Sequence, residues 1–278
     1  MIILSHFQAA ELLQARSMER STTSISLDLG LTVTEVTLTP DRLILPKAVI
    51  TWLEIEEIAQ HETACFLVED NRVKQIRGFS EFTGRAYGLM PTASAPTMLI
   101  SGLPMHRIKN TNPYQDTLAK IKAIAPLHGR VLDTCTGLGY TAIEAAKTAE
   151  RVVTIELDPT AQEMARFNPW SRSLFDNPKI EQIIGDAFDE IQNFEDSTFS
   201  SIIHDPPMLS LAGDLYSGDF YVECCRVLRR SGKLFHYIGD PDSKSGARTT
   251  KGVVRRLQEA GFTRVVLQPQ AFGAVAFK

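Results

Sequence analysis

From residue 110 to the last residue, short apolar runs alternate with segments of helical period, and this alternation constrains the fold more than any other feature. The runs at 130–133, 152–156, 180–184, 201–204 and 233–238 are rich in Val, Ile or Leu and read as strands. Helical period marks 116–124, 140–148, 160–168, 219–228 and 252–260. Strands joined through helices by short connections predict a parallel sheet covered on both faces. The last two runs, 265–267 and 274–277, stand only a few residues apart. A parallel crossover needs about a dozen residues, so this pair must be an antiparallel hairpin. The expectation for 110–278 is an α/β, Rossmann-like, seven-stranded and mainly parallel sheet with a terminal antiparallel hairpin.

Residues 1–109 read differently, as a small β-rich α+β unit. Helical period covers 8–19 and 52–61, while 24–29, 32–39, 42–45 and 65–68 read as strands. Between 78 and 104 the Gly, Pro, Ser and Thr content predicts loop with short strands. Hydrophobic residues make up 44% of the chain and the net charge is −4, which excludes a disordered chain and one that coats nucleic acid by overall charge. The charge is nevertheless uneven. Residues 71–109 hold six basic side chains against Glu81 alone, and 226–264 hold ten against three acids. These runs form either one surface for an anionic partner or two solvated faces. Cys65, Cys135, Cys224 and Cys225 make no C-x-x-C pair, so a reducing cytoplasm and no metal centre are expected. The apolar start at 1–4 lacks a basic flank, and no apolar run reaches 18 residues, so neither a signal peptide nor a membrane span is expected.

The densest chemical signal lies at 131–140. A buried strand ends at Asp133, Thr134 and Cys135 follow, Gly137 and Gly139 punctuate the loop, and a helix begins at Tyr140. Glycines there let backbone approach a ligand closely. The next strand ends in Glu156, where an acid can hydrogen-bond both hydroxyls of a ribose. Gly185, Asp186 and Ala187 follow the third strand, and an acid there can meet an adenine amine. Three acids at the carboxyl ends of successive strands form one crevice, although each could instead cap a helix.

These residues resemble the class I S-adenosylmethionine-dependent methyltransferases. In that family the first strand ends in an acid and a Gly-x-Gly loop, matched by Asp133, Gly137 and Gly139. The resemblance implies S-adenosyl-L-methionine as cofactor, with its methionine part along that loop, its ribose at Glu156 and its adenine at Asp186 and Ala187. Thr136 stands where many members carry another glycine. Ala142 replaces the third glycine of dehydrogenases, and the loop is one residue longer than theirs, which argues against a dinucleotide.

The fourth strand runs into His204, Asp205, Pro206, Pro207 and Met208. Two prolines fix φ and remove two backbone donors, leaving carbonyls free to accept from a ligand. An acid beside such carbonyls suits an amino group. The run resembles the Asn/Asp/Ser-Pro-Pro-aromatic motif of methyltransferases acting on nucleobase amines and some amides. By that resemblance Asp205 and the Pro206 carbonyl hold the target nitrogen. If that nitrogen is a protonated alkylamine it must first lose a proton, and Asp205 or His204 would be the acceptor. Met208 replaces the stacking aromatic, and Tyr216, Phe220 or Tyr221 could supply a ring instead. The stretch 239–248, with Asp240, reads as a mobile loop able to close on substrate. Arg85, Tyr114 and Asp116 are further candidates near the site. Residues 203–207 and 235–241 resemble more closely a group of predicted methyltransferases known mainly from archaea and cyanobacteria, a resemblance that brings no substrate.

The reading is thus an enzyme that methylates a nitrogen of RNA, protein or a small amine, with RNA favoured. The unit at 1–109 would select substrate or form a homodimer. Spermidine synthases share the fold, and the acids Asp205, Asp214 and Asp219 keep an aminopropyltransferase open. A catalytically silent binding module is the third alternative.

Overall fold

The computed structural model describes residues 1–209 and 211–278, without the side chains of Lys244 and Ser245. The chain forms two compact units, Met1–Tyr114 with Thr160–Arg172, and Gln115–Pro159 with Ser173–Lys278.

The first unit opens with β1 (Ile2–Leu4), α1 (His6–Ser17), β2 (Thr22–Ile25), β3 (Thr34–Leu38), β4 (Arg42–Leu45), β5 (Ala48–Thr51) and α2 (Trp52–Gln60). It continues through β6 (Phe66–Glu69), β7 (Arg72–Gln75), β8 (Arg77–Ser80), β9 (Arg85–Met90), β10 (Thr97–Ile100) and β11 (Leu103–Pro104). Both helices start in capping boxes, Ser5 with Gln8 and Thr51 with Glu54, each satisfying two otherwise orphaned N–H groups. The strands pair antiparallel in the orders β2-β3-β4-β5, β1-β6-β7 and β11-β10-β9-β8. Leu4, Leu12, Ile25, Leu43, Ile50 and Ile55 are buried where helices meet strands. The stretch 78–104, expected as loop with short strands, does hold short strands, and they pair into one regular sheet. Its strands are two to six residues long, too short to show a period, and hairpin pairing organises them. Strands β1, β5 and β7 are not among the expected ones.

A division at 109 does not anticipate the return of Thr160–Arg172 to the first unit. Gly78 shows how close that return is, since a Cβ there would lie 2.9 Å from Thr160 Cγ2 and 3.3 Å from Met164 Cε. Trp170 Nε1 also donates to the Leu29 carbonyl at 3.0 Å.

The remaining elements are α3 (Pro113–Ile124), β12 (Arg130–Asp133), α4 (Tyr140–Ala146), β13 (Arg151–Glu156), α5 (Pro159–Phe167), α6 (Arg172–Asp176), β14 (Ile180–Ile184) and α7 (Ala187–Glu190). They end with β15 (Phe199–His204), α8 (Gly218–Val227), β16 (Leu228–Tyr237), α9 (Lys244–Glu259), β17 (Arg264–Gln268) and β18 (Gly273–Phe277). The second unit's sheet has seven strands in the order β14-β13-β12-β15-β16-β18-β17. Strands β12 to β16 pair in parallel, and β18 runs antiparallel between β16 and β17. This is the expected doubly wound sheet with its terminal hairpin.

The stretch 239–248 is not one loop. Ser243 caps α9 by accepting from Gly246 N at 2.9 Å, so the helix begins at Lys244, eight residues before its expected start. Gly246 is required by contact, because a Cβ there would collide with the Asp240 carbonyl. The side chains of Lys244 and Ser245, which fall in this stretch, lie outside the described residues.

Two buried histidines brace the core beneath β15 and β16. His204 Nε2 lies 3.0 Å from the Leu215 carbonyl and must donate to it, so Nδ1 accepts from the Thr134 hydroxyl at 2.6 Å. His236 Nδ1 likewise donates to the Tyr237 carbonyl, and its Nε2 accepts from Tyr221 at 2.7 Å. Burial pushes the His204 pKa down from 6.5 to about 3. The unfolded chain therefore takes up this proton first as pH falls. The stability is present in full above pH 6.5 and drains away toward pH 3. His204→Gln, which does not titrate, should reduce the loss of unfolding free energy between pH 6 and pH 4.5 by about 1.4 kcal/mol per pH unit. Urea unfolding across that range measures it, and an unchanged slope would contradict a neutral buried His204.

Candidate active site

The sheet order reverses between β12 and β15, the point where open α/β sheets bind ligands beyond their strand ends. Four adjacent strands, β14, β13, β12 and β15, are followed or ended by Asp186, Glu156, Asp133 and Asp205. Neighbouring strands lie about 4.8 Å apart, so these acids line a crevice roughly 14 Å long.

Asp133 is fully buried. Its Oδ2 accepts from the Thr154 hydroxyl at 2.9 Å and the Thr141 hydroxyl at 3.1 Å, while Oδ1 has no partner. Burial pushes this carboxyl up to about 7, against the two threonine bonds. Thr136 and Thr154 hydroxyls meet at 2.7 Å, so the position that departs from a glycine ties the loop to β13. Gly137 and Gly139 have φ of +53° and +76°, the left-handed region that glycine enters without strain. A Cβ on Gly139 would sit 2.7 Å from Leu174 Cδ2, so space also demands glycine there. Gly137 N donates to Glu156 Oε2 at 2.8 Å, and Asp158 N donates to Oε1 at 3.1 Å. Each oxygen keeps a lone pair for a further donor. Burial raises the Glu156 pKa against these bonds. Asp186 does cap a helix, accepting from Phe188 N at 2.9 Å, yet it remains exposed while Ala187 is buried.

On the other side of β12 lies a cluster whose centre, Lys120, sequence reasoning missed. Lys120 of α3 is buried and bridges Asp205 Oδ2 at 2.6 Å and Asp116 Oδ2 at 2.9 Å. Its ammonium also sits 4.4 Å from the centre of the Tyr237 ring. Burial alone would lower the Lys120 pKa, but the two carboxylates hold it above its ordinary value. Burial raises the Asp205 pKa and Lys120 opposes that. The available signal was the i, i+4 spacing of Asp116 and Lys120 on the face that also carries Thr117 and Ile124, all four of them buried.

Several candidates do other work. His204 has both nitrogens engaged and no exposed surface, so it is a core residue and has no free nitrogen for a substrate proton. Tyr216, Phe220 and Tyr221 are buried in the core and supply no stacking ring. They are buried because α8 packs its apolar face on the sheet. Tyr216 Oη instead donates to the Pro207 carbonyl at 3.1 Å, which engages that acceptor. Thr134 serves His204. Asp240 shapes the turn before α9, accepting from Asp242 N at 3.0 Å. Arg85 lies on β9 of the first unit, and Tyr114 packs its ring 5.4 Å from Trp170 in that unit. Asp116 belongs to the Lys120 cluster. The Pro206 carbonyl accepts no hydrogen bond from the described residues. Met208 is 53% exposed.

Comparison with known proteins places this site in context. A family model described as conserved hypothetical protein 95 matches residues 107–234. Spermidine synthase in complex with the transition-state analogue AdoDATO superposes with a TM-score of 0.60 at 19% identity, over 76% of this chain and 78% of that one. The second unit is only about half the chain, so the shared fold extends into the first unit. Polyamine aminopropyltransferase 2 of Streptomyces coelicolor is 30% identical over 146 residues, 50% of this chain and only 26% of that protein. These neighbours bear out the Rossmann-like methyltransferase-type fold preceded by antiparallel β units. The protein MJ1233 of Methanocaldococcus jannaschii is 42% identical over 276 residues, 97% of this chain and 93% of its own. With likeness at that level along nearly the whole of both chains, this protein belongs to the MJ1233 family.

Proposed function

We propose that this protein is an S-adenosylmethionine-dependent methyltransferase acting on a nitrogen held at Asp205 and Pro206. The carrying observation is the exit of β15. Asp205 gives Oδ2 to Lys120, its Oδ1 accepts no hydrogen bond among the described residues, and the Pro206 carbonyl is equally unengaged. Adjacent acceptors suit the N–H groups of an uncharged amine or amide.

The donor set at the other strand ends fits the cofactor. Glu156 has lone pairs for two ribose hydroxyls, Asp186 is exposed for an adenine amine, and the orphaned Asp133 Oδ1 suits an ammonium group, directly or through water. Gly137 and Gly139 keep the loop clear of side chains where the methionine part would run. When bound, the cofactor supplies a methyl group on sulfonium sulfur, which leaves as a neutral thioether keeping the bonding pair. The protein's work is then orientation, worth about 7–11 kcal/mol when the reacting atoms are held in line. Asp205 Oδ1 accepts the N–H of the nucleophile and takes up the proton that nitrogen sheds. Burial raises its pKa and makes it the better base. Among acceptors RNA is favoured, because Arg72 and Lys74 on β7 and Arg77 on β8 are exposed and can meet phosphate.

Aminopropyl transfer is the second reading, supported by the likeness to the Streptomyces aminopropyltransferase. It would require decarboxylated donor and acids free to face a polyamine cation. Asp205 is already paired, and Asp214 and Asp219 are exposed.

Calorimetric titration with intact and decarboxylated S-adenosylmethionine distinguishes the two, and the methyltransferase reading requires the intact cofactor to bind more tightly. Glu156→Ala should weaken that binding by about 1–3 kcal/mol, the range for a hydrogen bond to a charged group. Unchanged affinity in the folded variant would refute the ribose assignment. Asp205→Asn should keep cofactor affinity and lose transfer of labelled methyl into a fractionated cell extract, assayed with and without nuclease. Undiminished transfer by this variant would sink the assignment of Asp205.

A further inference from the structure

We propose that Lys120 is a positioning residue for the transfer, gripping Asp205 through Oδ2 so that Oδ1 faces the acceptor as an ionised hydrogen-bond acceptor. This inference rests on the reading of Asp205 as the acceptor-side acid. Three observations carry it. First, the Lys120 side chain is 2% exposed and its ammonium is matched on three sides, by Asp116 Oδ2, Asp205 Oδ2 and the face of Tyr237. An ammonium has three donors, so this one has little left for a ligand and acts through its partners. Second, the two carboxylates differ in access. The Asp116 side chain is fully buried and that of Asp205 is 19% exposed. Two carboxylates around one ammonium leave one negative charge in excess, and its accessible end is Asp205. Third, the grip comes from outside the acid's own loop. Lys120 stands on α3, ahead of β12, and reaches a residue 85 positions later in the chain. A bond of that kind fixes the orientation of the loop leaving β15 and does not merely follow from its local conformation.

The charge arithmetic gives the inference a sign. The groups facing Asp205 are Lys120 and Asp116 from α3, Asp133 at the end of β12, Cys135 in the next loop, and Tyr216 before α8. Burial disfavours the ionised acid, Lys120 favours it, and Asp116 opposes it. Removing Lys120 and removing Asp116 must therefore move Asp205 in opposite directions. A merely structural pair would lower stability and rate alike at every pH.

The experiment reads the ionisation midpoint of Asp205 by carbon NMR of protein labelled at the aspartate carboxyls, with Asp205→Asn assigning the signal. Lys120→Met should raise the midpoint by at least about one pH unit, a tenfold gain in proton affinity, and Asp116→Asn should lower it. The acidic limb of labelled methyl transfer into extract should move with each midpoint, while affinity for S-adenosylhomocysteine stays within about twofold. Midpoints that stay put, or that move the same way in both variants, overturn the proposal. So does a rate limb that ignores a shifted midpoint. Asp116→Asn leaves Lys120 paired with Asp205 and supplies the sign if Lys120→Met does not fold. Shifted midpoints in a protein that transfers no methyl group would leave the grip standing and overturn the methyltransferase reading instead.

Discussion

The parallel pairing of β12 on both of its edges is the constraint on which the site depends. Asp133 lies in register with Thr154 of β13 on one side and with Ile203 of β15 on the other. All three strands point the same way, so their following loops leave the sheet at one end. Because the connections from β12 run to one side first and return to the other, those loops part at β12 and leave a crevice. Asp133 and Glu156 end their strands, and Asp186 and Asp205 stand just beyond theirs, so all four lie at the end of the sheet where backbone pairing gives out.

Buried polar groups account for how sharply this end of the sheet is organised. A buried donor or acceptor without a partner costs about 1–3 kcal/mol, so the polar side chains that fold into this unit have to meet one another. They do so mostly across elements, Thr134 with His204, Thr136 with Thr154, Thr154 with Asp133, and Lys120 with Asp205, while Lys120 also meets Asp116 within α3 and Tyr216 meets the Pro207 carbonyl. Against that background the unpartnered Asp133 Oδ1 stands out. A carboxylate oxygen left unpaired in an otherwise satisfied cluster is an expense that a bound ligand would remove. The same contrast separates Asp205 Oδ1 from Oδ2, and the Pro206 carbonyl from that of Pro207.

The shared architecture with spermidine synthase and the family tie to MJ1233 bear on the fold. In the proposed reading, Asp133, Glu156 and Asp186 serve the S-adenosyl donor, and Asp205 and Pro206 at the β15 exit serve the acceptor.

The sequence alone determined the second unit's sheet, its hairpin and the strand-end acids, because these are local. Period separates β from α, and a strand followed by an acid and glycines marks its own loop. The bounds of β12 and β14 coincide with the runs read at 130–133 and 180–184. β1, β5, β7 and the pairing within the β8–β11 sheet emerged only from the tertiary structure. The early start of α9 depended on a Ser243 cap and on Gly246 meeting Asp240, a contact that composition disguises as loop. His204, Tyr216 and Phe220 looked chemical by type, and only burial revealed them as core. Lys120 looked like an ordinary helical lysine, and only the packing of α3 against the end of β15 made it the partner of Asp205. Local pattern governs which elements form, while the pairing of charges 85 residues apart is decided by where those elements pack.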